Sequence, residues 1–181
     1  NDILTRYIQL GEMKTKAVSS TLSPSMDIQI SSNFERLLFE SLNRDSEKLR
    51  NLFLELKENN GFRIDNDTLT HIKNDFKSGK ASEKKVKDTI SKIYKASNII
   101  LDPHTAVGFY ASAKIINADV PMVNLGTAHP AKFSQAVIDA IGFEPEIPDR
   151  LKNIINKKEK FTELENNSEA LISFIRKHSN V

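Results

Sequence analysis

The sequence predicts an α/β protein in which short parallel strands are flanked by helices. Over most of the chain, apolar residues recur every three or four positions, the spacing that places them on one face of a helix. Two short apolar runs, "NIIL" at 98–101 and "PMVNL" at 121–125, interrupt this pattern, and a helical pattern follows each of them. Strand, helix, strand and helix with short connections indicate a βαβ unit, whose two strands are parallel.

The composition is that of an ordinary globular domain. The chain has 181 residues, of which 26 are basic and 24 acidic, and the two signs are interspersed. This balance gives no basic face of the kind that binds nucleic acid. The lack of cysteine excludes disulfides and thiolate metal sites and is compatible with a cytoplasmic location. No apolar run approaches the ~18 residues of a membrane span, and we expect no signal peptide.

The first part of the chain begins at a helix cap. Asp2 precedes an amphipathic pattern that Gly11 ends, and an irregular segment follows with a possible short strand at 17–20. Ser32 and Glu35 then form a capping box for the next helix. Because the chain enters directly at a cap and without methionine, we expect it to be a portion of a longer polypeptide.

A helical stretch with a charged outer surface follows. Residues 46–58 place their apolar side chains on one face, and after a turn Asp67 or Thr68 starts a short helix. A polar hinge at 77–84 precedes a third helix, which contains 86–94. Charges in such a stretch are typical of a solvated face.

The second half holds the strands and the clearest caps. Asp102 is an N-cap with Pro103 at the first helical position, and the helix continues to Ile116. After the second apolar run, a helix starts near Phe133 and ends at Gly142. Lysine- and glutamate-rich helical patterns complete the chain.

Each predicted strand ends in a polar cluster that opens a helix. Asp102–Thr105 follows the first strand and Gly126–Lys132 follows the second. In open parallel sheets, ligands bind outside the carboxyl ends of the strands. Helix N-termini also favour anions through their free N–H groups and their dipole. The two clusters therefore indicate one binding site at a single sheet edge.

Three motifs carry a resemblance to a known family. "STLSPSMDIQISSNFERLL", "LDPHTAVG" and "LGTAHPAKF" closely resemble threonine synthase, a pyridoxal 5'-phosphate (PLP) enzyme of the tryptophan synthase β-type fold, fold type II. The resemblance runs in order from Asn1 to about Ala140. It implies that the full-length protein converts O-phospho-L-homoserine and water to L-threonine and phosphate, by elimination followed by β-addition of water.

The resemblance also implies that important parts lie elsewhere. Family members hold PLP as a Schiff base on the lysine of an "FKD"-type motif, upstream of anything present here. Lys77 is not its counterpart, because "FKSG" lies in a polar hinge. The glycine-rich phosphate loop is expected just before Asn1. We therefore expect a helix-rich C-terminal portion that contains no catalytic residue, needs the upstream half as its partner and is inactive alone.

Four segments follow from this reading. Residues 1–44 form an active-site loop and helix of the PLP domain, and 45–97 form a helical insertion. Residues 98–142 form a βαβα unit of the PLP domain, and 143–181 form a set of C-terminal helices.

The predicted cofactor contacts are Thr127 and Gly126. The resemblance places the Thr127 hydroxyl against the pyridine nitrogen of PLP, where a hydroxyl can donate to a neutral ring nitrogen. The alternative is a threonine that only caps the entry to a helix.

Two of the motifs supply predicted substrate contacts. His129 and Lys132 match the family's "HPAKF" and suit the phosphate of the substrate. The alternative is that His129 only hydrogen-bonds a loop carbonyl and that Lys132 is a surface residue. Asn33 and Arg36 match "SNFER", and Arg36 is a candidate clamp for a phosphate or carboxylate because its geometry is bidentate. A structural ion pair is the alternative for Arg36.

Two further predictions concern the loops beside these residues. His104 orients water or substrate, next to Asp102, which is at least an N-cap. Asp27 lies on the neighbouring loop with Ser23, where ordinary turn chemistry is the alternative.

Two other functions use the same residues. Asp102, His104 and His129 are ligand types that suit zinc. However, two of them share one helix start, and no fourth ligand is evident, so we predict no metal. A non-catalytic relative of the same fold that binds an anion or amino acid is the other alternative. We expect neither a nucleic acid nor a membrane as a partner.

Overall fold

The computed structural model describes residues 1–117, 119–155 and 157–179, and the chain divides into two compact units, Asn1–Glu146 and Ile147–Val181. The first unit contains helices α1 (Ile3–Leu10), α2 (Phe34–Ser41), α3 (Ser46–Asn59), α4 (Asn66–Asp75), α5 (Glu83–Ser97), α6 (Pro103–Ser112) and α7 (Ser134–Ile141). Its strands are β1 (Glu12–Lys14) and β2 (Gly61–Arg63). The second unit contains α8 (Asp149–Ile155) and α9 (Ser168–His178). The helix-rich class is confirmed.

The prediction of parallel strands is wrong for the described residues. Neither 98–101 nor 121–125 forms a strand, and the sheet found there is the antiparallel pair β1–β2, with Glu12 opposite Arg63. A strand forms only where a neighbour pairs with its N–H and C=O groups, and the described residues supply no neighbour to these two runs. The possible strand at 17–20 is also irregular, and β1 lies just before it.

The first hydrophobic core joins α1, α2, α3 and α4 to the two strands. Tyr7 and Leu38 are fully buried in it, and Ile72 of α4 packs against them. The remaining buried members are Ile3, Met13, Phe34, Leu56, Phe62 and Ile64. The Tyr7 ring meets Phe34 edge to face at a centroid distance of 4.6 Å, a favourable aromatic geometry.

The second core lies between α5, α6 and α7. Val86 and Ile90 of α5 are buried with Leu101 and Ala106. Leu101 is the residue immediately before the cap of α6, so its burial fixes the point at which the chain enters that helix. This core therefore positions the N-terminus of α6, where the first polar cluster lies.

Several predicted helix ends are confirmed. Gly11 and Gly142 follow α1 and α7 in the left-handed conformation, at φ 72° and 86°, which glycine adopts without steric cost. Asp102 is the N-cap of α6, with Pro103 at its first position. These ends were predictable because each depends on one residue and its immediate neighbours.

Other predicted helix ends are wrong. Asn33, and not Ser32, precedes α2, and its side chain makes no capping hydrogen bond. Asp65 caps α4 two residues before the predicted start, by accepting the N–H of Thr68. The helix α6 ends at Ser112 and does not reach Ile116. Sequence periodicity finds a helix more reliably than its end residues, because helix ends depend on local packing.

Asp2 precedes α1 as predicted, but its carboxylate is used for tertiary contacts. It accepts hydrogen bonds from Lys80 Nζ at 2.7 Å and from Arg6 Nε at 3.0 Å. The bond from Lys80, followed by the bond from Arg6, lowers the pKa of Asp2 to about 2. This ion pair joins the predicted hinge at 77–84 to the start of α1.

The second unit contains α8 and α9. Asn167 caps α9 by accepting the N–H of Ala170 at 2.8 Å, and Leu171, Ile172 and Ile175 of this helix are exposed. Throughout the described part of the chain, no helix has the length and apolar character needed to cross a membrane.

The four-segment division of the chain stays a prediction.

We predict that Tyr7→Phe leaves stability unchanged or raises it by about 1 kcal/mol. The Tyr7 side chain is 0% exposed, and its hydroxyl has no hydrogen-bond partner among the described residues. Burying an unpaired hydroxyl costs free energy, and phenylalanine keeps the ring contacts. Urea unfolding measures the change, with Tyr94→Phe as the control at a partly buried site. A loss above 1 kcal/mol would show that the hydroxyl is bonded in the protein.

Candidate functional site

The buried carboxylate of Asp102 is the centre of the candidate site. Asp102 is 1% exposed and stands at the N-terminus of α6. Its Oδ1 accepts the backbone N–H of His104 at 2.9 Å and, at a longer 3.5 Å, that of Thr105. Pro103, which lies between Asp102 and His104, has no N–H that could be left unpaired. The helix start is therefore fully capped by one side chain.

Two side chains also donate to this carboxylate. His104 Nδ1 lies 2.9 Å from Asp102 Oδ1, and the hydroxyl of Thr105 donates to Oδ2. Burial raises the pKa of Asp102, but the hydrogen bonds from Thr105 and His104 outweigh it, so the pKa lies below its usual 3.8. At neutral pH the carboxylate is ionised, although it is buried.

His104 joins three segments of the chain. Its Nε2 accepts the backbone N–H of Ser25 at 3.2 Å, and its ring packs on Phe133 with the centroids 4.6 Å apart. Because Nε2 is an acceptor, the ring hydrogen lies on Nδ1 and the imidazole is neutral. Both ring nitrogens are bonded within the protein, so His104 fixes the loop and the helix to each other.

Thr127 is bonded to the same carboxylate from the second polar cluster. Its backbone N–H donates to Thr105 Oγ1 at 3.0 Å. Its own Oγ1 lies 3.0 Å from Thr105 Oγ1 and 3.3 Å from the nearer oxygen of Asp102. The two clusters are in contact, as predicted, but they do not lie at a sheet edge, because neither 98–101 nor 121–125 is a strand. We call Asp102, His104, Thr105 and Thr127 the Asp102 cluster.

Gly126 and the residues after Thr127 form an exposed turn. A Cβ added at Gly126 would meet no atom within 4 Å. His129 precedes the 3-10 turn Pro130–Phe133, where its Nδ1 accepts the N–H of Ala131 at 3.2 Å. Lys132 Nζ lies 5.6 Å from the centre of the Phe133 ring. Lys132 and His104 therefore contact the same aromatic side chain.

Asp27 holds the loop that carries Ser25. Its carboxylate accepts the N–H and the hydroxyl of Thr21, both at 2.7 Å, and Asn1 Nδ2 at 2.6 Å. Burial raises its pKa, yet the bonds from Thr21 and Asn1 bring the net pKa below the usual value. Asp27 and Ser25 also line a cavity of 280 Å³ beside the start of α1.

Asn33 and Arg36 are exposed at the start of α2. Within the ranges that the structure describes, neither side chain makes a hydrogen bond or an ion pair. No such contact joins them to the Asp102 cluster. Among the described residues, hydrogen bonds thus join His104 and Thr127 through that cluster, whereas none joins Asn33 or Arg36 to it.

Sequence reasoning placed Thr105 in the first polar cluster without giving it a contact, and it missed Ser25 and Phe133. Thr105 had a signal, since it is the third residue after an Asp N-cap, where its hydroxyl faces the capping carboxylate. Ser25 contacts His104 across 79 residues, and only the folded chain reveals that contact.

The candidate zinc ligands are used for other contacts. Asp102 and His104 bond to each other, and His129 accepts a backbone N–H of its own turn. In the described ranges, no three side chains of suitable type are grouped as metal ligands.

Comparison with known proteins gives consistent matches. A family model described as "Threonine synthase, C-terminal" matches residues 105–175. Threonine synthase of Pseudomonas aeruginosa is 37% identical over 99% of this chain and 39% of its own length. Threonine synthase of Saccharomyces cerevisiae is 42% identical over 90% of this chain and 37% of its own length.

A solved structure agrees over the whole chain. PLP-bound threonine synthase from Brucella melitensis is 41% identical to this chain, with a TM-score of 0.88. The match covers 99% of this chain and 39% of that structure.

The helix-rich fold is similar to one segment of a longer enzyme. The chain is related to the threonine synthases and corresponds to their C-terminal portion, as the motifs indicate. It spans 37–39% of the length of the two threonine synthases named above.

We predict that the stability supplied by Asp102 depends on pH. Because its pKa is lowered in the folded state, the ionised carboxylate stabilises the fold above the usual pKa of 3.8, and this contribution is lost as the pH falls through the lower folded value. Asp102→Asn keeps an N-cap but loses the charge. The stability difference between wild type and variant should therefore be larger at pH 7 than at pH 3.

Urea unfolding at both pH values measures this difference. Asp88→Asn is the control for the loss of one negative charge, since Asp88 is exposed in the middle of α5 and caps no helix. A difference for Asp102→Asn that stays constant from pH 7 to pH 3 would contradict the role of the charge.

Proposed function

We propose that this chain is part of a PLP-dependent threonine synthase, which converts O-phospho-L-homoserine and water to L-threonine and phosphate. The observation that carries this proposal is the likeness to the PLP-bound enzyme from Brucella melitensis across 99% of the chain. In this proposal, Thr127 and Gly126 form one side of the cofactor site. The cytoplasmic location expected from the sequence belongs to the same proposal.

The residues present fit the ring of PLP. Thr127 is exposed, while its hydroxyl is held from the interior by Thr105 and Asp102. Apart from its chain neighbours, no described residue has an atom within 4 Å of a Cβ built at Gly126, so a flat ring can approach the backbone there. When bound, PLP supplies an electron sink for the amino acid attached to it. Thr127 would hold its ring nitrogen.

His104, another member of the Asp102 cluster, positions the loop beside the site. His104 has no free ring nitrogen for a substrate, because Asp102 and Ser25 use both. It therefore contributes to substrate binding by fixing the Ser25 loop against α6. The Asp27 contacts with Thr21 and Asn1 hold the other side of the same loop.

The cationic side chains are the proposed contacts of the substrate. Lys132 and His129 are exposed at the turn before α7, next to the Asp102 cluster. A lysine ammonium and an imidazole N–H both suit a phosphate. Arg36, with Asn33 beside it, offers a planar guanidinium without an ion pair among the described residues. It is the proposed partner of a carboxylate or phosphate.

The proposed partner of this chain is the upstream half of the same polypeptide, which would hold the PLP lysine and the phosphate loop. Supporting this, the run 121–125 has large apolar side chains in solvent, with Val123 77% and Leu125 81% exposed. Apolar surface of this kind is typical of an interface. Pairing with strands of that half would also supply the backbone partners that 121–125 lacks here.

The first test is an assay of the complete natural polypeptide that contains residues 1–181. With PLP and O-phospho-L-homoserine it should form threonine and phosphate in equal amounts. Amino-acid analysis and a phosphate assay on the same samples measure both products. Phosphate release without threonine would contradict the proposal.

We predict that Thr127→Ala retains PLP but lowers turnover by about 10- to 1,000-fold, the range of one polar contact worth ~1.4–4 kcal/mol. Other groups anchor the cofactor, whereas the variant loses the hydrogen bond at the ring nitrogen. Thr127→Ser keeps the hydroxyl and should keep most of the activity. Turnover and PLP content are measured together, and undiminished turnover of Thr127→Ala would show that Thr127 is only a helix-entry residue.

A further inference from the structure

We propose that Glu83 is a positioning residue for the candidate site, because it ties the Ser25 loop (residues 21–27) to the segment 78–83, which we call the strap. The strap lies within the polar hinge that the sequence predicts. The effect of Glu83 on substrate binding rests on the proposed function, whereas its effect on the loop rests on the contacts of the chain itself.

The strap is fixed against the start of α1. The Thr5 hydroxyl donates to the carbonyl of Gly79 at 3.1 Å, and the Ser78 hydroxyl donates to the carbonyl of Thr5 at 3.4 Å. Lys80 Nζ donates to Asp2 Oδ2 at 2.7 Å. Hydrogen bonds therefore hold three consecutive residues of the strap on this end of α1.

The strap also lies directly on α6. A Cβ added at Gly79 would be 2.9 Å from the Cβ of Ala111, which is closer than non-bonded carbon atoms approach each other. Glycine has no Cβ and therefore allows this close approach of the strap to the helix. Because α1 belongs to the first hydrophobic core and α6 to the second, the strap is supported by both cores.

Glu83 connects this supported segment to the Ser25 loop. It is the last residue of the strap and the first residue of α5. Its carboxylate accepts the backbone N–H of Leu22, and the nearer carboxylate oxygen is 3.2 Å from the nitrogen. A charged acceptor makes a stronger hydrogen bond than a neutral one.

The loop is held at three points by three side chains. Glu83 holds its beginning, His104 of α6 holds its middle by accepting the N–H of Ser25, and Asp27 holds its end by accepting Asn1 Nδ2. Apart from the bond to Glu83, the described hydrogen bonds of residues 21–23 are made within the loop itself. The position of this part of the loop therefore depends on Glu83.

The consequence concerns substrate binding in the proposed function. The Ser25 loop is bonded to the Asp102 cluster through His104, so it lies beside the proposed cofactor site. A loop that is ordered before the ligand arrives does not have to be ordered during binding, and the affinity is higher for that reason. Loss of the Glu83 contact should therefore raise KM more than it lowers kcat, although Glu83 does not touch the substrate.

The first measurement is amide hydrogen exchange of the complete natural polypeptide, which reports the order of the loop without any ligand. In Glu83→Ala, the amides of 21–27 should exchange about 2- to 10-fold faster, the factor that corresponds to one hydrogen bond. Glu83→Gln keeps an oxygen acceptor and should stay within about twofold of the wild type.

Glu47→Ala is the control. Glu47 lies in the first turn of α3, as Glu83 does in α5, so both variants lose the same favourable interaction with a helix dipole. Glu47→Ala should leave the exchange of 21–27 unchanged.

The second measurement is the kinetics of the same proteins with PLP and O-phospho-L-homoserine. The KM of Glu83→Ala should rise by about 2- to 10-fold, with a smaller change in kcat. Glu83→Gln and Glu47→Ala should keep the KM of the wild type. Recovery of KM by the conservative variant distinguishes positioning of the loop from a general loss of stability.

The outcomes separate the two proposals. Equal exchange of the loop in wild type and Glu83→Ala, or equally fast exchange in Glu83→Ala and Glu47→Ala, would overturn the role of Glu83. An unchanged KM in Glu83→Ala would overturn its role in substrate binding. If the wild type formed no threonine, the proposed function would be refuted, and the exchange of the loop would still decide whether Glu83 holds it.

Discussion

The candidate site depends on one buried carboxylate at the start of α6. Asp102 caps the helix, fixes the tautomer of His104 and bonds to the hydroxyl of Thr105. Through these neighbours it holds Ser25 and Thr127, which come from distant parts of the chain. An ionised group in a buried position is stable only when such donors surround it. The same hydrogen bonds therefore keep the carboxylate ionised and hold the residues of the site in place.

The two hydrophobic cores place this carboxylate. Leu101 is buried between α5, α6 and α7, and it sets the entry into α6 one residue before the cap. The other core orients α1, and Asn1, which lies two residues before this helix, holds the Ser25 loop by donating to Asp27. The Ser25 loop and the start of α6 meet at His104, and each of them is positioned by one of the two cores. Its two bonds tie them together.

The relation to threonine synthases explains features that look unfavourable in the chain alone. Val123 and Leu125 are exposed, and 121–125 has no strand partner among the described residues. The matched relatives are much longer than this chain, which covers 39% of the Brucella melitensis structure. In the proposed function, these exposed apolar side chains form the surface on which the upstream half of the polypeptide would pack.

The sequence by itself determined the local features of this protein. The helical faces, the Asp102 cap and the glycine stops at Gly11 and Gly142 each depend on residues within a few positions, and the motifs were long enough to indicate the family. The tertiary structure decided the rest. The runs at 98–101 and 121–125 have strand composition but no strand, because strands need partners from elsewhere. The bonds from Ser25 to His104 and from Thr127 to Thr105 span 79 and 22 residues, and only the packing of the helices creates them.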